Sequence, residues 1–378
     1  MNRKFLFPLV FFFSLFLFGL FAYRNPGVDF RGYYGAALLV RRGGNPYDYA
    51  QLAPILEEIS GFQGNNPYFY PPWYCLAFTP LTFLSFRTAQ ILWIGINLLL
   101  FTLALEWLWE TLEWDIEPWF RWLLFTFANI FFGYAALVSE NSGFVLLFAL
   151  ALTLRGMKRN QPILAGLGLV LMGTKPQALG VAILVLGIWA WKHQRKTVYW
   201  AFGWFVSFLG AATLFFPRWW DFDKTNFGIG ISYYQDQAGI VTGKRVAATV
   251  YDWGRYFWGL NKAGIVVLFL LAFTLGVWLL ARTWKQFPSP YTFAIAGTLF
   301  TLLITPYALQ YDFVPLSAAL FWIAKHFSTL QPRKQKIILL MLSFAMLIPF
   351  FSTLQYQIYW VPVCFSLTYG TVLSQIHT

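Results

Sequence analysis

Asp29 is the first acidic side chain in a position to do chemistry. It follows the apolar run Phe5–Tyr23 by six residues, at the expected edge of a membrane. A carboxylate there can act as a general base, because a hydroxyl group that attacks an electrophile must lose its proton as the new bond forms. It can equally cap a helix or carry a solvated charge at the start of a helix predicted over Tyr33–Arg42. Both roles remain open from spacing alone.

Lys175 is the most informative basic residue. It stands in the turn Gly173–Gln177 between two apolar segments, where an unpaired ammonium group would be costly. A lipid phosphate would satisfy this charge as a point contact. A salt bridge to Glu140, Asp29 or Asp312 would satisfy it equally well. The sequence therefore predicts an anionic partner without identifying it.

Further polar residues interrupt apolar sequence elsewhere. Glu140 and Asn141 follow one apolar segment, and Asp312 follows Gln310 and Tyr311 before another. Two roles remain open for each of these carboxylates, a structural hydrogen bond within the fold and a direct part in chemistry. They are predicted on the same side of the membrane as Asp29.

Two segments rich in turn-forming and aromatic residues, Gly43–Asp48 and Asn66–Trp73, indicate ordered loops. Aromatic faces beside proline-fixed backbone, as at Tyr70, suit stacking on a sugar ring or a polyisoprenoid chain. The same residue types also form ordinary belts at membrane interfaces. Tyr70 is therefore a candidate for substrate binding, with the belt as the alternative.

The composition requires a lipid environment for the elements that hold these residues. Hydrophobic residues make up 58% and charged residues 11% of the chain, and the mean hydropathy is +0.57. The net charge of +12 is spread among short loops, which favours anionic lipid over nucleic acid as a partner. Cys75 and Cys364 are far apart in apolar contexts and indicate neither a metal site nor a disulfide.

The apolar pattern predicts an all-α polytopic membrane protein with about twelve transmembrane helices. The first, Phe5–Tyr23, has no small-residue cleavage site after it and is expected to be retained. The others are predicted over 88–109, 119–138, 142–155, 161–173, 177–191, 197–216, 262–282, 290–305, 312–325, 336–352 and 356–373. Pro72–Leu84 is too short to span and is predicted to lie along the outer membrane surface.

Basic clusters predict the sidedness of these helices. Four basic clusters all fall on the cytoplasmic side when Pro72–Leu84 is not counted as a transmembrane span. They are Arg155–Arg159, Lys192–Lys196, Arg282–Lys285 and Lys325–Lys336. The N-terminus is then cytoplasmic as well. The long loops 24–87 and 217–261 are then predicted to face outward, and the predicted location is the plasma (inner) membrane.

Segments 142–155, 161–173 and 177–191 are short for a membrane span, which predicts a recess open to the outer face. Gln177 lies at the edge of this recess and is a further candidate for substrate binding. Loop 217–261 is predicted to cap it. Its charged residues are Arg218, Asp221, Asp223, Lys224, Asp236, Lys244, Arg245 and Arg255. Lys244 and Arg245 could contact an anionic acceptor or lipid headgroups, or form a solvated charge pair.

The order of several short motifs resembles a known superfamily. An aspartate follows the first span, and then come Gly44-Asn45-Pro46-Tyr47, Tyr70-Pro71-Pro72, Lys175-Pro176 and Thr305-Pro306-Tyr307, the last shortly before Tyr311-Asp312. This set resembles the GT-C superfamily and is most similar to glycosyltransferase family 87, which includes bacterial polyprenol-phosphate-mannose-dependent mannosyltransferases. The resemblance covers most of the chain and becomes weaker after residue 326. The chain has Gln310, Tyr311 and Asp312 where some members carry a histidine.

The resemblance implies a GT-C fold in one integral membrane domain, residues 1–378. It divides into a GT-C-like module over 1–216 with juxtamembrane helices in its long outer loop, the outer loop 217–261, and C-terminal helices over 262–378. It implies Asp29 as the catalytic base and Lys175, with Arg31, as contacts of the donor phosphate. Substrate-binding candidates are Glu140, Asn141, Gln177, Tyr311, Asp312 and Tyr70. No cofactor and no metal ion is expected.

The implied reaction is inverting transfer of a sugar, commonly mannose, from a polyprenyl-phosphate carrier to a lipid or glycan acceptor. Two alternative functions, from other classes of protein, stay open. A transporter or flippase for the lipid carrier would also need a basic, aromatic-lined recess, although such proteins often show paired halves. A non-catalytic subunit of an envelope assembly complex would use Asp29 only to cap a helix.

Overall fold

The computed structural model describes residues 3–24, 27–61, 66–217, 219, 249–305, 307–347 and 359–375. Within these ranges the chain is helical and contains no β-strand. The amphipathic and apolar runs of the sequence account for this, because a chain in lipid must satisfy its backbone hydrogen bonds within each segment.

The helices are numbered in chain order. They are α1 Arg3–Arg24, α2 Val28–Arg41, α3 Tyr49–Ser60, α4 Pro72–Phe78, α5 Phe86–Leu112, α6 Pro118–Ala128, α7 Tyr134–Val138, α8 Gly143–Lys158, α9 Pro162–Met172, α10 Pro176–His193, α11 Arg195–Phe215, α12 Val250–Asp252, α13 Lys262–Gln286, α14 Pro290–Ile304, α15 Ser317–His326, α16 Pro332–Leu347 and α17 Trp360–Leu373. A π-helical turn, Asn129–Gly133, joins α6 to α7, and another, Trp253–Phe257, follows α12. Single 3₁₀ segments cover Thr79–Phe83, Gln310–Leu316 and Phe327–Thr329.

Five helical segments of the described chain are long and apolar enough to cross a membrane. They are Lys4–Arg24, Phe86–Leu112, Pro118–Val138, Arg195–Phe215 and Lys262–Gln286. The chain is thus an all-helical membrane protein. Each of the other predicted spans also contains a helix, but the total of twelve spans remains a prediction, and residues 348–358 lie outside the described ranges.

Three helix boundaries differ from the prediction. Helix α2 begins at Val28 and not at Tyr33, so Asp29 lies inside its first turn and the N-cap is Gly27. The predicted helix over 72–84 ends at Phe78 and continues as a 3₁₀ turn, since Pro80 cannot donate a backbone hydrogen bond. The predicted span 312–325 likewise begins as a 3₁₀ segment containing Pro315, and α15 starts at Ser317.

Helices α2, α3 and α4 form a separate apolar layer on one end of the bundle. Phe30, Tyr33, Tyr74 and Phe78 are buried there against Trp93 of α5. The rings of Phe78 and Trp93 lie 4.7 Å apart. This packing attaches α2 and α4 to the start of α5, which places Asp29 next to the helical bundle.

The other end of the bundle carries paired charges. Glu110, near the end of α5, forms salt bridges with Arg155 of α8 and with Arg159, which caps the C-terminus of α8. Lys325 of α15 donates to the carbonyl oxygen of Leu112 over 2.5 Å. Gln90, near the start of α5, lies about 30 Å from Glu110 at 1.5 Å per helical residue. The helix therefore separates these charges from the end that holds Asp29.

Candidate active site

The start of α2 lies directly on the turn between α7 and α8. A Cβ atom at Gly27 would come within 2.6 Å of the carbonyl oxygen of Ser139 and 2.7 Å of the Cβ atom of Glu140. Only glycine permits backbone to approach this closely. The contact brings Asp29, two residues further on, to residues 139–142.

Asp29 is held by Asn141. The side-chain amide of Asn141 donates to Oδ2 of Asp29, and the aspartate remains partly exposed. The amide oxygen of Asn141 accepts from the backbone N–H of Gly143 over 3.0 Å and from the hydroxyl of Ser142 over 3.4 Å. This hydrogen bond joins Asp29 and Asn141, two of the residues predicted from the sequence, in one site.

A group of tyrosines borders this carboxylate. The hydroxyl of Tyr33 donates to that of Tyr70 over 2.8 Å, and the amide of Asn141 approaches the same Tyr70 oxygen at 3.5 Å. The rings of Tyr70 and Tyr74 stack with centroids 5.2 Å apart. Burial raises the pKa of Tyr70 well above its ordinary value, and the charge of Asp29 raises it further, so the phenol stays protonated.

Lys175 and Asp312 form a buried ion pair. Nζ of Lys175 lies 2.5 Å from Oδ1 of Asp312, and the two side chains are 3% and 0% exposed. The second carboxylate oxygen of Asp312 accepts from the backbone N–H of Leu309 over 2.9 Å. Asp312 is one of the three carboxylates that the sequence allowed as a partner of Lys175, and both of its oxygens are engaged.

Tyr311 connects the ion pair to Asp29. Its ring centroid lies 4.4 Å from Nζ of Lys175. Burial raises the pKa of Tyr311 well above its ordinary value, and the charges of Asp29 and Asp312 act on it in the same direction. The backbone of Tyr311 also passes close to α8, because a Cβ at Gly143 would meet its carbonyl oxygen at 2.6 Å. One cluster therefore contains Asp29, Asn141, Tyr70, Tyr311, Lys175 and Asp312.

Glu140 points away from this cluster. Its Oε1 accepts from the side chain of Gln90 over 2.6 Å, and its carbonyl oxygen accepts from the indole N–H of Trp93 over 3.1 Å. Burial raises the pKa of Glu140 to about 7. The buried side chain of Arg31 interacts electrostatically with Glu140, so these two candidates group together.

The remaining candidates contribute less to the cluster. Gln177 is half-buried in the first turn of α10 and makes no hydrogen bond with another described residue. Of the predicted outer loop 217–261, Arg218 and residues 220–248, including Lys244 and Arg245, lie outside the described ranges. Arg255 is described, is exposed, and donates to the hydroxyl of Tyr251 over 2.7 Å.

Tyr33, Tyr74 and Gln90 are site residues that the sequence reasoning missed. Tyr33 lies four residues after Asp29, which puts both on one face of a helix that begins at Val28. The later predicted start hid this relationship. Gln90 is a polar residue near the start of a predicted apolar span, a signal that usually marks a buried hydrogen bond.

One comparison with known proteins gives a match. The family model described as Glycosyltransferase family 87 matches residues 68–306. No protein of curated function and no solved structure matches the chain. The matched region contains Tyr70, Asn141 and Lys175, while Asp29 and Asp312 lie outside it and join these residues through the contacts described above.

Proposed function

The chain belongs to glycosyltransferase family 87, and we propose that this membrane glycosyltransferase moves a sugar from a polyprenyl-phosphate carrier to a lipid or glycan acceptor. The proposed sugar is mannose, and the proposed reaction inverts the anomeric configuration. Transfer takes place on the extracytoplasmic face of the plasma membrane.

The convergence of Asp29 and Lys175 carries the proposal. Asp29 lies near the start of the chain and Lys175 near its middle, yet Nζ of Lys175 lies 4.4 Å from the ring centroid of Tyr311 and the charge of Asp29 acts on the same tyrosine. A glycosyl phosphate donor needs a base beside its anomeric carbon and a cation beside its phosphate. These two side chains supply that pair of functions at one end of the helical bundle.

Asp29 acts as the base in this mechanism. The acceptor oxygen attacks the anomeric carbon from the face opposite the phosphate, and its proton passes to the carboxylate of Asp29. The bond between the anomeric carbon and the phosphate oxygen breaks as the new bond forms. Polyprenyl phosphate leaves with the electron pair, and a single displacement of this kind inverts the configuration. Asp29 fits the role because it is partly exposed.

Lys175 stabilises the phosphate as its negative charge grows. An ammonium group has three donors, and in the described part of the chain Asp312 is its one hydrogen-bond acceptor. We expect the other two N–H groups to bind phosphate oxygens. Asp312 holds Lys175 in place, since its second oxygen accepts a hydrogen bond from the backbone N–H of Leu309.

The charges at the two ends of the bundle support an extracytoplasmic site. Arg155, Lys158 and Arg159 cluster at the end of α8, with Lys325 close by at Leu112. Positively charged loops are retained in the cytoplasm. Asp29 and its partners occupy the opposite end of α5, which under this rule faces outward.

The proposal is tested with purified protein in lipid vesicles. It is given polyprenyl-phosphate mannose, or GDP-mannose as the matched donor without the lipid, and a lipid extract from cells that lack the gene as acceptor. We expect mannose transfer from the polyprenyl donor alone, with the product in the inverted configuration by NMR. Movement of intact polyprenyl-phosphate mannose across the vesicle without transfer would indicate a transporter and contradict the proposal.

The sugar is tested separately. Polyprenyl-phosphate glucose, galactose and arabinose replace the mannose donor in the same assay, and lipids and glycans of cells with and without the gene are compared by mass spectrometry. Transfer of mannose and loss of a mannosylated product are the expected results. Transfer of another sugar would retain the reaction class and overturn the assignment of mannose.

A further inference from the structure

The amide of Asn141 has one possible orientation in this site. The backbone N–H of Gly143 points at its Oδ1 over 3.0 Å, and the hydroxyl of Ser142 lies 3.4 Å from the same atom. A backbone N–H is a donor only, so the atom facing it must be the amide oxygen. The NH₂ group of Asn141 is therefore forced to face Asp29.

We propose that Asn141 is a positioning residue for sugar transfer, whose amide holds the carboxylate of Asp29 ionised and at a fixed angle to the acceptor. The inference rests on the proposed role of Asp29 as the base. This role differs from that of a substrate contact, because the amide nitrogen and the amide oxygen of Asn141 are both hydrogen-bonded to groups of the protein.

The backbone around Asn141 is fixed from both sides. Glu140 adopts a left-handed conformation with φ 52°, which is uncommon for a residue with a side chain. Its side chain is anchored by Gln90 and its carbonyl by Trp93. On the other side, the start of α2 is seated on Ser139 through Gly27. Asn141 and Asp29 are thus attached to two segments whose backbones are in close contact.

This hydrogen bond has two consequences for the reaction. A donor that faces a carboxylate favours its ionised form, and only the ionised form can accept the proton of the acceptor hydroxyl. The bond also fixes the angle at which the carboxylate of Asp29 meets the acceptor. Without the amide, the carboxylate would lose this contact and would be protonated over a wider pH range.

The test is the pH profile of transfer from polyprenyl-phosphate mannose. We expect Asn141→Ala to lower kcat roughly 10- to 100-fold, as the loss of a hydrogen bond to a charged group does, with little change in KM for the donor. The acid limb of the profile, where activity rises with pH, should move about one unit toward higher pH. Asn141→Asp should move it at least as far, because two adjacent carboxylates share a proton.

Asn129→Ala is the matched control. Asn129 is also a buried asparagine whose amide donates to a side chain, in this case the hydroxyl of Ser14 over 2.8 Å. Asn129→Ala should lower stability and leave the acid limb of the pH profile of transfer unchanged. If Asn141→Ala does not fold, Asn141→Asp, which keeps the shape of the side chain, carries the test.

The outcomes separate the two proposals. A folded Asn141 variant whose acid limb coincides with that of the unaltered protein would overturn the positioning role, even if Asp29→Asn were inactive. Full activity of Asp29→Asn would overturn the base itself. A KM effect in Asn141→Ala with kcat and pH profile unchanged would identify a substrate contact and contradict our inference.

Discussion

Lys175 and Asp312 lie 2.5 Å apart although 137 residues separate them in sequence. Both are buried, at 3% and 0% exposure. Taking two charges out of water is expensive, and such a pair often contributes little net stability. The pair therefore fits the proposed role of Lys175, in which Asp312 holds its side chain in one orientation.

Breaking this pair should be far more costly than breaking an exposed one. Asp312→Asn leaves a buried ammonium without its counter-charge, and we expect a loss of about 3–5 kcal/mol of stability. Lys175→Met in combination with Asp312→Leu should recover part of that stability but no transfer activity. Thermal unfolding in detergent and the transfer assay measure the two effects.

The control for this prediction is the ion pair between Arg42 and Glu58. Its side chains are 44% and 53% exposed. Arg42→Ala should leave stability almost unchanged and leave transfer intact, because exposed ion pairs contribute little. Equal losses at the two pairs would show that burial does not set the cost, and activity in the Lys175→Met/Asp312→Leu protein would remove Lys175 from the mechanism.

Glu140 should make stability depend on pH. Burial raises its pKa to about 7 in the folded protein, against about 4.3 for an exposed glutamate. Between these values the folded state binds more protons than the unfolded state, so stability falls as pH rises through this window. The total loss is about 4 kcal/mol and is complete about one pH unit above the pKa of the folded state.

Glu140→Gln removes this titration and keeps an acceptor for Gln90. We expect the variant to match the unaltered protein near pH 4.5 and to become progressively more stable than it up to pH 8. Unfolding temperatures measured across this range test the expectation. A difference between the two proteins that is constant with pH would contradict it.

Gly143 should be intolerant of a side chain. A Cβ there would lie 2.6 Å from the carbonyl oxygen of Tyr311 and 3.1 Å from the side chain of Val314. Gly143→Ala should cost about 1–3 kcal/mol by overpacking and lower transfer, because Tyr311 and Asp312 would move relative to Lys175. Gly180→Ala, where no atom lies within 4 Å of the added Cβ, should be neutral or stabilising by up to ~1 kcal/mol. Equal effects of Gly143→Ala and Gly180→Ala on stability and transfer would contradict this prediction.

The helices and the candidate residues were predictable for one physical reason. Lipid demands long apolar segments, so a charged residue such as Lys175 or Glu140 beside one of them stands out in the sequence. The partners were not predictable. Three carboxylates were open to Lys175, and the choice of Asp312 depends on how the segment Gln310–Leu316 packs against α8 at Gly143.

The start of α2 was missed for a similar reason. The turn-forming residues before Asp29 favoured a later helix start, and local propensity gives no sign that Gly27 rests on Ser139. Because the start was misplaced, the sequence did not show that Asp29 and Tyr33 share a helix face. The orientation of Asn141, which depends on the N–H of Gly143, is likewise a tertiary property.

The most direct measurement of the central claim is transfer by Asp29→Asn. The substitution keeps the size of the side chain and removes its capacity to accept a proton, so we expect transfer from polyprenyl-phosphate mannose to fall at least ~100-fold, within the range typical of general-base catalysis. Asp48→Asn is the control, since Asp48 caps α3 away from Asp29 and its change should leave transfer intact. A folded Asp29→Asn protein that transfers sugar at the rate of the unaltered enzyme would contradict the account.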